Sequence, residues 1–242
     1  MVSSVEQGRP VVSSVEQGPP VVSPVEQGRP VVVSPVEQGR QARVETSTDP
    51  APRFVYYTAS SLDGFLADEH GSLNWLFAVD HREMPNIPAF TSTSGVLVEG
   101  ATTYEWVLDA ERLLERPERW QELYGERPTY VFTHRDLPVP DGADVRLVRG
   151  EVFELLPEIR QAAGDKNVWL VGGGDLVGQF YAAGALDELQ VTLTPVTLGA
   201  GAPLLPRRIG SDRLRLRTVE QYGQFAHLTY DVTPEGHGDR SA

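Results

Sequence analysis

Cysteine is absent from all 242 residues, which removes disulfides, thiolate nucleophiles and every metal site built on sulfur. Lysine is nearly absent too. Lys166 is the only one, so no Gly-Lys-Ser or Gly-Lys-Thr follows a glycine loop, and a P-loop triphosphatase is excluded. Positive charge is in deficit: 21 Lys and Arg face 34 Asp and Glu, and the net charge of -13 opposes gripping nucleic acid by its phosphates. No apolar run approaches the roughly 20 residues that span a bilayer, and neither a hydrophobic signal core nor an Arg-rich leader opens the chain. A soluble, cytoplasmic protein with neither nucleic-acid nor membrane partners is expected. His70, His81, His134, His227 and His237 form no His-x-x-x-His pattern, so no metal is expected and each reads as a surface residue.

What is present begins with a repeat. Val-Ser-Ser-Val-Glu-Gln-Gly occupies Val2 to Gly8 and Val12 to Gly18, and Val-Ser-Pro-Val-Glu-Gln-Gly occupies Val22 to Gly28 and Val33 to Gly39. Units of about ten residues are shorter than solenoid repeats, and with valine as their only apolar side chain they bury too little surface to offset chain entropy. Residues 1–50 are read as a disordered tail, and 235–242 as a disordered C-terminal end. The segment 51–234 is long enough for one domain with an ordinary core.

Along that segment, β-prone runs alternate with helical spacing. Phe54 to Ala59 reads as a strand followed by the turn Ser60-Ser61-Leu62-Asp63-Gly64. Gly95 to Glu99 reads as a buried strand ending at Gly100, with Thr102 or Thr103 placed to cap a helix carrying Tyr104, Val107 and Leu108. Strands follow at 128–133 and 145–148, a helix at 151–163, then the apolar run Val168-Trp169-Leu170-Val171 and a helix through Leu176, Val177, Phe180 and Ala183. Leu186 to Thr194 is the next strand, and 213–219 and 224–232 should pair antiparallel. In Leu214-Arg215-Leu216-Arg217 the alternation implies charges facing water. The expected fold is α/β, a mostly parallel sheet with helices on both faces and an antiparallel C-terminal edge.

The apolar run 168–171 stops at Gly172-Gly173-Gly174. Glycines ahead of a helix start let backbone N–H groups approach an anion, helped by the positive end of the helix dipole. They equally suit a tight turn where helix and sheet pack closely, and both readings stand. In an open α/β sheet, ligands lie at the carboxyl ends of the strands. The loops there offer Ser60, Ser61 and Asp63; Gly100, Thr102 and Thr103; Thr133, His134 and Arg135; and the three glycines. Hydroxyls, glycine amides and a guanidinium suit a phosphorylated dinucleotide, with Arg135 the candidate for its 2′-phosphate. A Rossmann fingerprint fits less well, because Val177 stands where its third glycine belongs.

Five stretches carry a resemblance: Ala59 to Ala67, Gly100 to Glu105, Val171 to Gly174, Gly184 to Leu189 and Thr194 to Gly201. In this order and spacing they resemble the dihydrofolate reductase-like superfamily, in particular the reductase domain of the bifunctional riboflavin-biosynthesis deaminase/reductase, across Arg53 to Val232. The resemblance implies an NADPH-dependent reductase, often a homodimer, acting on a small heterocyclic or ribosylamino-pyrimidine-like substrate. It implies pyrophosphate contacts at Gly172, Gly173 and Gly174, further cofactor contacts at Gly100, Thr102, Thr103, Val171 and Leu176, an adenosine-phosphate loop at Thr133, His134 and Arg135, and a nicotinamide-side loop through Ala59, Leu62 and Gly64. Asp63 is the candidate polar group at the reacting centre, against a plain turn-forming Asp-Gly; Asp80, His81 and Glu99 are weaker candidates.

Two departures qualify it. Ala101 stands where members commonly have a phosphate-binding Arg, and near Asn74 the first acid is Asp80, which opposes dihydrofolate reductase proper. The zinc-deaminase signature needs cysteine and cannot occur. The alternative is a non-catalytic nucleotide-binding or regulatory module.

Overall fold

Aromatic and β-branched residues at Phe54-Val55-Tyr56-Tyr57 favour extended backbone, and this run forms the middle of the molecule. The computed structural model describes residues 52–234; the repeats of 1–50 and the end at 235–242, both expected to be disordered, lie outside the described residues. In chain order the elements are β1 (Phe54–Ser61), β2 (Phe65–Ala67), α1 (Asn74–Phe77), α2 (Ile87–Ser92), β3 (Ser94–Gly100), α3 (Ala101–Ala110), α4 (Glu118–Tyr124) and β4 (Thr129–Phe132). They continue as β5 (Val145–Val148), α5 (Val152–Ala163), β6 (Asn167–Gly172), α6 (Gly174–Ala182), β7 (Glu188–Thr194), β8 (Ala202–Pro203), β9 (Leu214–Tyr222) and β10 (Phe225–Val232).

The main sheet has eight strands in the order β5-β4-β3-β6-β1-β7-β10-β9. From β5 to β7 the neighbours are parallel, and β10 and β9 close the sheet antiparallel. Adjacent residues in a strand point to opposite faces, and both faces are covered. Tyr130, Val98, Leu170 and Phe54 face α5 and α6, where Phe54 meets Phe180 with ring centroids 5.6 Å apart. Val131, Val145 and Leu147 face α3 and α4 around Trp120. On that same side α2 lays Phe90 on Tyr57, with centroids 4.2 Å apart, and against Trp169. α5 is opened by a capping box, Glu151 with Glu154.

β7 begins two residues later than expected, because Asp187 acts as a clasp: its carboxylate accepts from the Phe54 amide at 2.7 Å. Beside it Glu188 is buried and takes Arg53 at 3.0 Å and Arg217 at 2.8 Å. At 214–217 the arginines face water as expected, Arg215 and Arg217 both being exposed, but the leucine between them is exposed as well. Arg217 bonds Glu188 while its side chain remains 43% exposed, and Leu216 is 49% exposed beside it. Between Thr229 and Tyr230 the pairing passes from Thr218 to Leu216, so Arg217 is the extra residue of a bulge in β9. His227, expected at the surface, is only 5% exposed, and its Nδ1 lies 2.9 Å from Thr192 Oγ1. β10 sits inside the sheet, between β7 and β9, which is what buries it.

Candidate dinucleotide site at the sheet edge

Six parallel strands bring six carboxyl ends to one edge. In sheet order the first five of their loops run Arg149-Gly150 after β5, Thr133 to Arg135 after β4, Gly100 to Thr103 after β3, Gly172 to Gly174 after β6, and Leu62 to Gly64 after β1. At about 4.8 Å per strand, that row spans about 19 Å.

The middle of the row holds two helix starts side by side. Gly100 is the N-cap of α3 and Gly173 that of α6, and neither end has a side-chain cap. A Cβ built on Gly100 would come 3.8 Å from the Gly173 amide nitrogen, so the two ends adjoin. Uncapped first-turn N–H groups at both ends make a positive, donor-rich spot. Thr102 and Thr103, expected as caps, instead lie inside the first turn of α3, because the chain turns helical directly after Gly100. Thr103 Oγ1 faces Gly172, 3.6 Å from where a Cβ would sit.

The three glycines do three different things. Gly172 has φ +146°, a conformation that L side chains avoid, and the Gly172–Gly173 peptide is cis. A Cβ on Gly173 would meet nothing within 4 Å, whereas one on Gly174 would overlap the carbonyl oxygens of Pro203 and Leu204. Close packing thus accounts for Gly174, and open space for an incoming group exists at Gly173. Val171 precedes them, half-buried on β6.

Towards β5 the edge opens into a cavity of about 230 Å³ lined by Phe132, Val148 and Leu176 and by the polar Thr133, His134, Arg149, Asp175 and Gln179. Thr133 Oγ1 accepts from the Arg135 amide at 3.0 Å, which shapes the loop. The Arg135 guanidinium turns to Glu105, bonding both carboxylate oxygens at 2.9 and 2.6 Å. Arg149 and Gly150 were not singled out from the sequence, although the strand before them was; reading that strand's loop like the others would have found them.

At the other end, Ala59 is half-buried on β1 and Leu62 is exposed. Gly64 turns the chain with φ +85°. Asp63 accepts from Ser61 Oγ at 2.6 Å, from the Leu198 amide and, at 2.7 Å, from the Gly199 amide. These bonds, Ser61 first, hold its carboxyl below the usual carboxylate range. Such a group stays ionised and ties two loops together; the geometry gives it no proton to donate. Asp80 is exposed and bonded to Arg82, and His81 packs its ring near Phe77 and Phe225. Glu99 is 2% exposed at the end of β3, and burial pushes its carboxyl up to about 8.

A mostly parallel sheet with an antiparallel edge and paired helix starts at its carboxyl end defines the class as a dihydrofolate reductase-like α/β fold. The family model of the RibD C-terminal domain matches residues 52–228, and the chain belongs to that family. It is 31% identical over 176 residues to the uncharacterized protein YwjB of Bacillus subtilis (strain 168), covering 73% of this chain and 95% of that protein. A protein of Shewanella sp. PV-4 assigned to riboflavin biosynthesis superposes with a TM-score of 0.62 at 24% identity, covering 75% of this chain and 99% of its own. The diaminohydroxyphosphoribosylaminopyrimidine deaminase/5-amino-6-(5-phosphoribosylamino)uracil reductase of Thermotoga maritima superposes at 0.54 with 17% identity, over 75% of this chain and 57% of its own. At these identities the two structures share the fold. No helix among the described residues is long and apolar enough to cross a membrane.

Proposed function

We propose that this chain is a cytoplasmic pyridine-nucleotide-dependent reductase, with NADPH as hydride donor and a small heterocyclic or ribosylamino-pyrimidine-like substrate, working as a homodimer. The observation that carries the reading is the order of loops along one sheet edge: a cavity of mixed polar and apolar lining, then two adjoining uncapped helix starts, then the β1 loop. Adenosine, pyrophosphate and nicotinamide follow each other in the same order along an extended dinucleotide. Two details fit such a ligand. Gly173 has open space where a Cβ would stand, and Thr194 Oγ1, in register with Ser61, is buried without a partner.

When bound, the cofactor supplies hydride from its nicotinamide ring. The chain's own residues then have definable tasks: the amides of the first turns of α3 and α6 hold the pyrophosphate, Leu176 and Phe132 shelter the adenine, and Asp63 keeps the β1 loop seated on 198–199. Leu216 and Val219, 49% and 61% exposed on β9, support a second copy as the partner.

The experiment is a titration of the full-length chain with NADPH, read by tryptophan fluorescence, followed by nicotinamide absorbance on adding 5-amino-6-(5-phosphoribosylamino)uracil or dihydrofolate. Saturable binding with oxidation by the uracil is expected. Binding without turnover on any substrate supports a nucleotide-binding module, methotrexate-sensitive turnover of dihydrofolate supports a folate enzyme, and no binding refutes the reading.

A further inference from the structure

We infer that Arg149, and not Arg135, distinguishes a phosphorylated adenosine ribose from an unphosphorylated one. The inference rests on the dinucleotide reading above and deepens it. Placement comes first: Arg149 follows β5 and forms part of the cavity wall beside Thr133 and His134, whereas Arg135 is not among the residues lining that cavity.

The partners of the two arginines differ more sharply. Arg135 meets Glu105 fork to fork, with two bonds at 2.9 and 2.6 Å, the strong form of a guanidinium–carboxylate pair. To take a phosphate it must release both bonds and leave the Glu105 carboxylate beside a group carrying about −1.5 to −2 charge. Arg149 makes one contact, 2.8 Å to an Asp136 carboxylate that is 98% exposed. Exchanging that contact for a phosphate costs little, because water solvates the released carboxylate and such exposed pairs contribute almost nothing.

The rest of the local charge points the same way. Ala101 supplies no cation from α3. On the α6 side of the cavity Arg207 is tied to Asp175 at 2.9 Å and Gln179 donates to the same carboxylate at 3.1 Å, so the guanidinium there is already engaged. A phosphate in this cavity therefore finds its counter-charge on the β5 side, at Arg149. Arg149 is an exposed side chain at a strand end, as Arg135 is, so replacing either leaves the core intact.

The test is calorimetric titration of the full-length chain and its R149Q, R149K and R135Q variants with NADP+ and NAD+. R149Q is expected to weaken NADP+ by tenfold or more, on the order of a lost bond to a charged group, and to leave NAD+ within about twofold. R149K falls between, keeping the charge without the fork. R135Q changes neither dinucleotide by more than about threefold. An NADP+ affinity unaltered in R149Q, or lost more in R135Q than in R149Q, overturns the assignment and leaves the dinucleotide reading standing. Failure of the unaltered chain to bind either dinucleotide overturns both.

Discussion

Glu99 offers the sharpest physical test of the fold. Its side chain leaves β3 on the face that carries Leu97, is 2% exposed, and titrates near 8 because burial penalises the charged form. Unfolded, it returns to its ordinary value of 4.5. The folded state therefore keeps a proton that the unfolded state releases above 4.5, and stability falls as pH rises through the window from 4.5 to about 8. Each pH unit in that window costs about 1.4 kcal/mol, and the whole window about 5 kcal/mol, a third or more of the stability of an ordinary domain. Glu99→Gln keeps the shape and removes the proton. Urea unfolding of both proteins at intervals across the window, followed by tryptophan fluorescence, isolates the effect because every other titrating group cancels in the difference. The variant should gain on the parent steadily as pH rises and stop gaining above about 8. Two stability curves that run parallel through the window would mean that Glu99 reaches water or a partner in solution, and the burial argument would fail.

The glycines give a paired prediction. Gly174→Ala should lower stability by about 1–3 kcal/mol in thermal unfolding, because its Cβ overlaps the Pro203 and Leu204 carbonyls, while Gly173→Ala should unfold like the parent yet bind dinucleotide at least tenfold more weakly. Asp63→Asn should speed amide exchange at Leu198 and Gly199, and in the parent the same loosening should set in only below the usual carboxylate range, as pH falls through the lowered value. Burial holds the His227 imidazole below its ordinary 6.5, so the parent loses stability as pH falls through that value; Thr192→Val should cost about 1–2 kcal/mol at neutral pH by leaving Nδ1 unpaired. The proposed homodimer predicts a dimer's mass for the parent and a monomer's for Val219→Asp by light scattering.

How much of this was legible in advance depends on how local each feature is. Strand runs such as 54–59 and 145–148, and the helix at 151–163, show in hydrophobic period and turn residues because those signals sit within a few positions of each other. The short helices α1, α2 and α4 do not: α2 exists because Phe90 finds Tyr57 and Trp169 on the sheet, partners more than thirty residues away in either direction. The bulge at Arg217 and its bond to Glu188 depend likewise on how β9 registers against the facing strand. The alternation is real in the sequence, but on this edge strand both parities are exposed, and that depends on what packs against the strand.

The candidate site divides along the same line. That four loops offer ligand groups follows from strand endings, which the sequence marks with glycine and hydroxyl residues. What those groups are bonded to does not, and the bonding decides their chemistry. Asp63 looks like an acid beside a turn until the Leu198 and Gly199 amides and Ser61 are seen to hold it ionised. Arg135 has the right charge in the right loop, yet Glu105, thirty positions earlier on α3, already satisfies both of its forks. Arg149 has the same charge one strand further out, a partner that water can replace, and a place on the cavity wall. A cation is available to a ligand only to the extent that its present partner is cheap to release, so pairing, more than residue type, identifies the phosphate-reading side chain here.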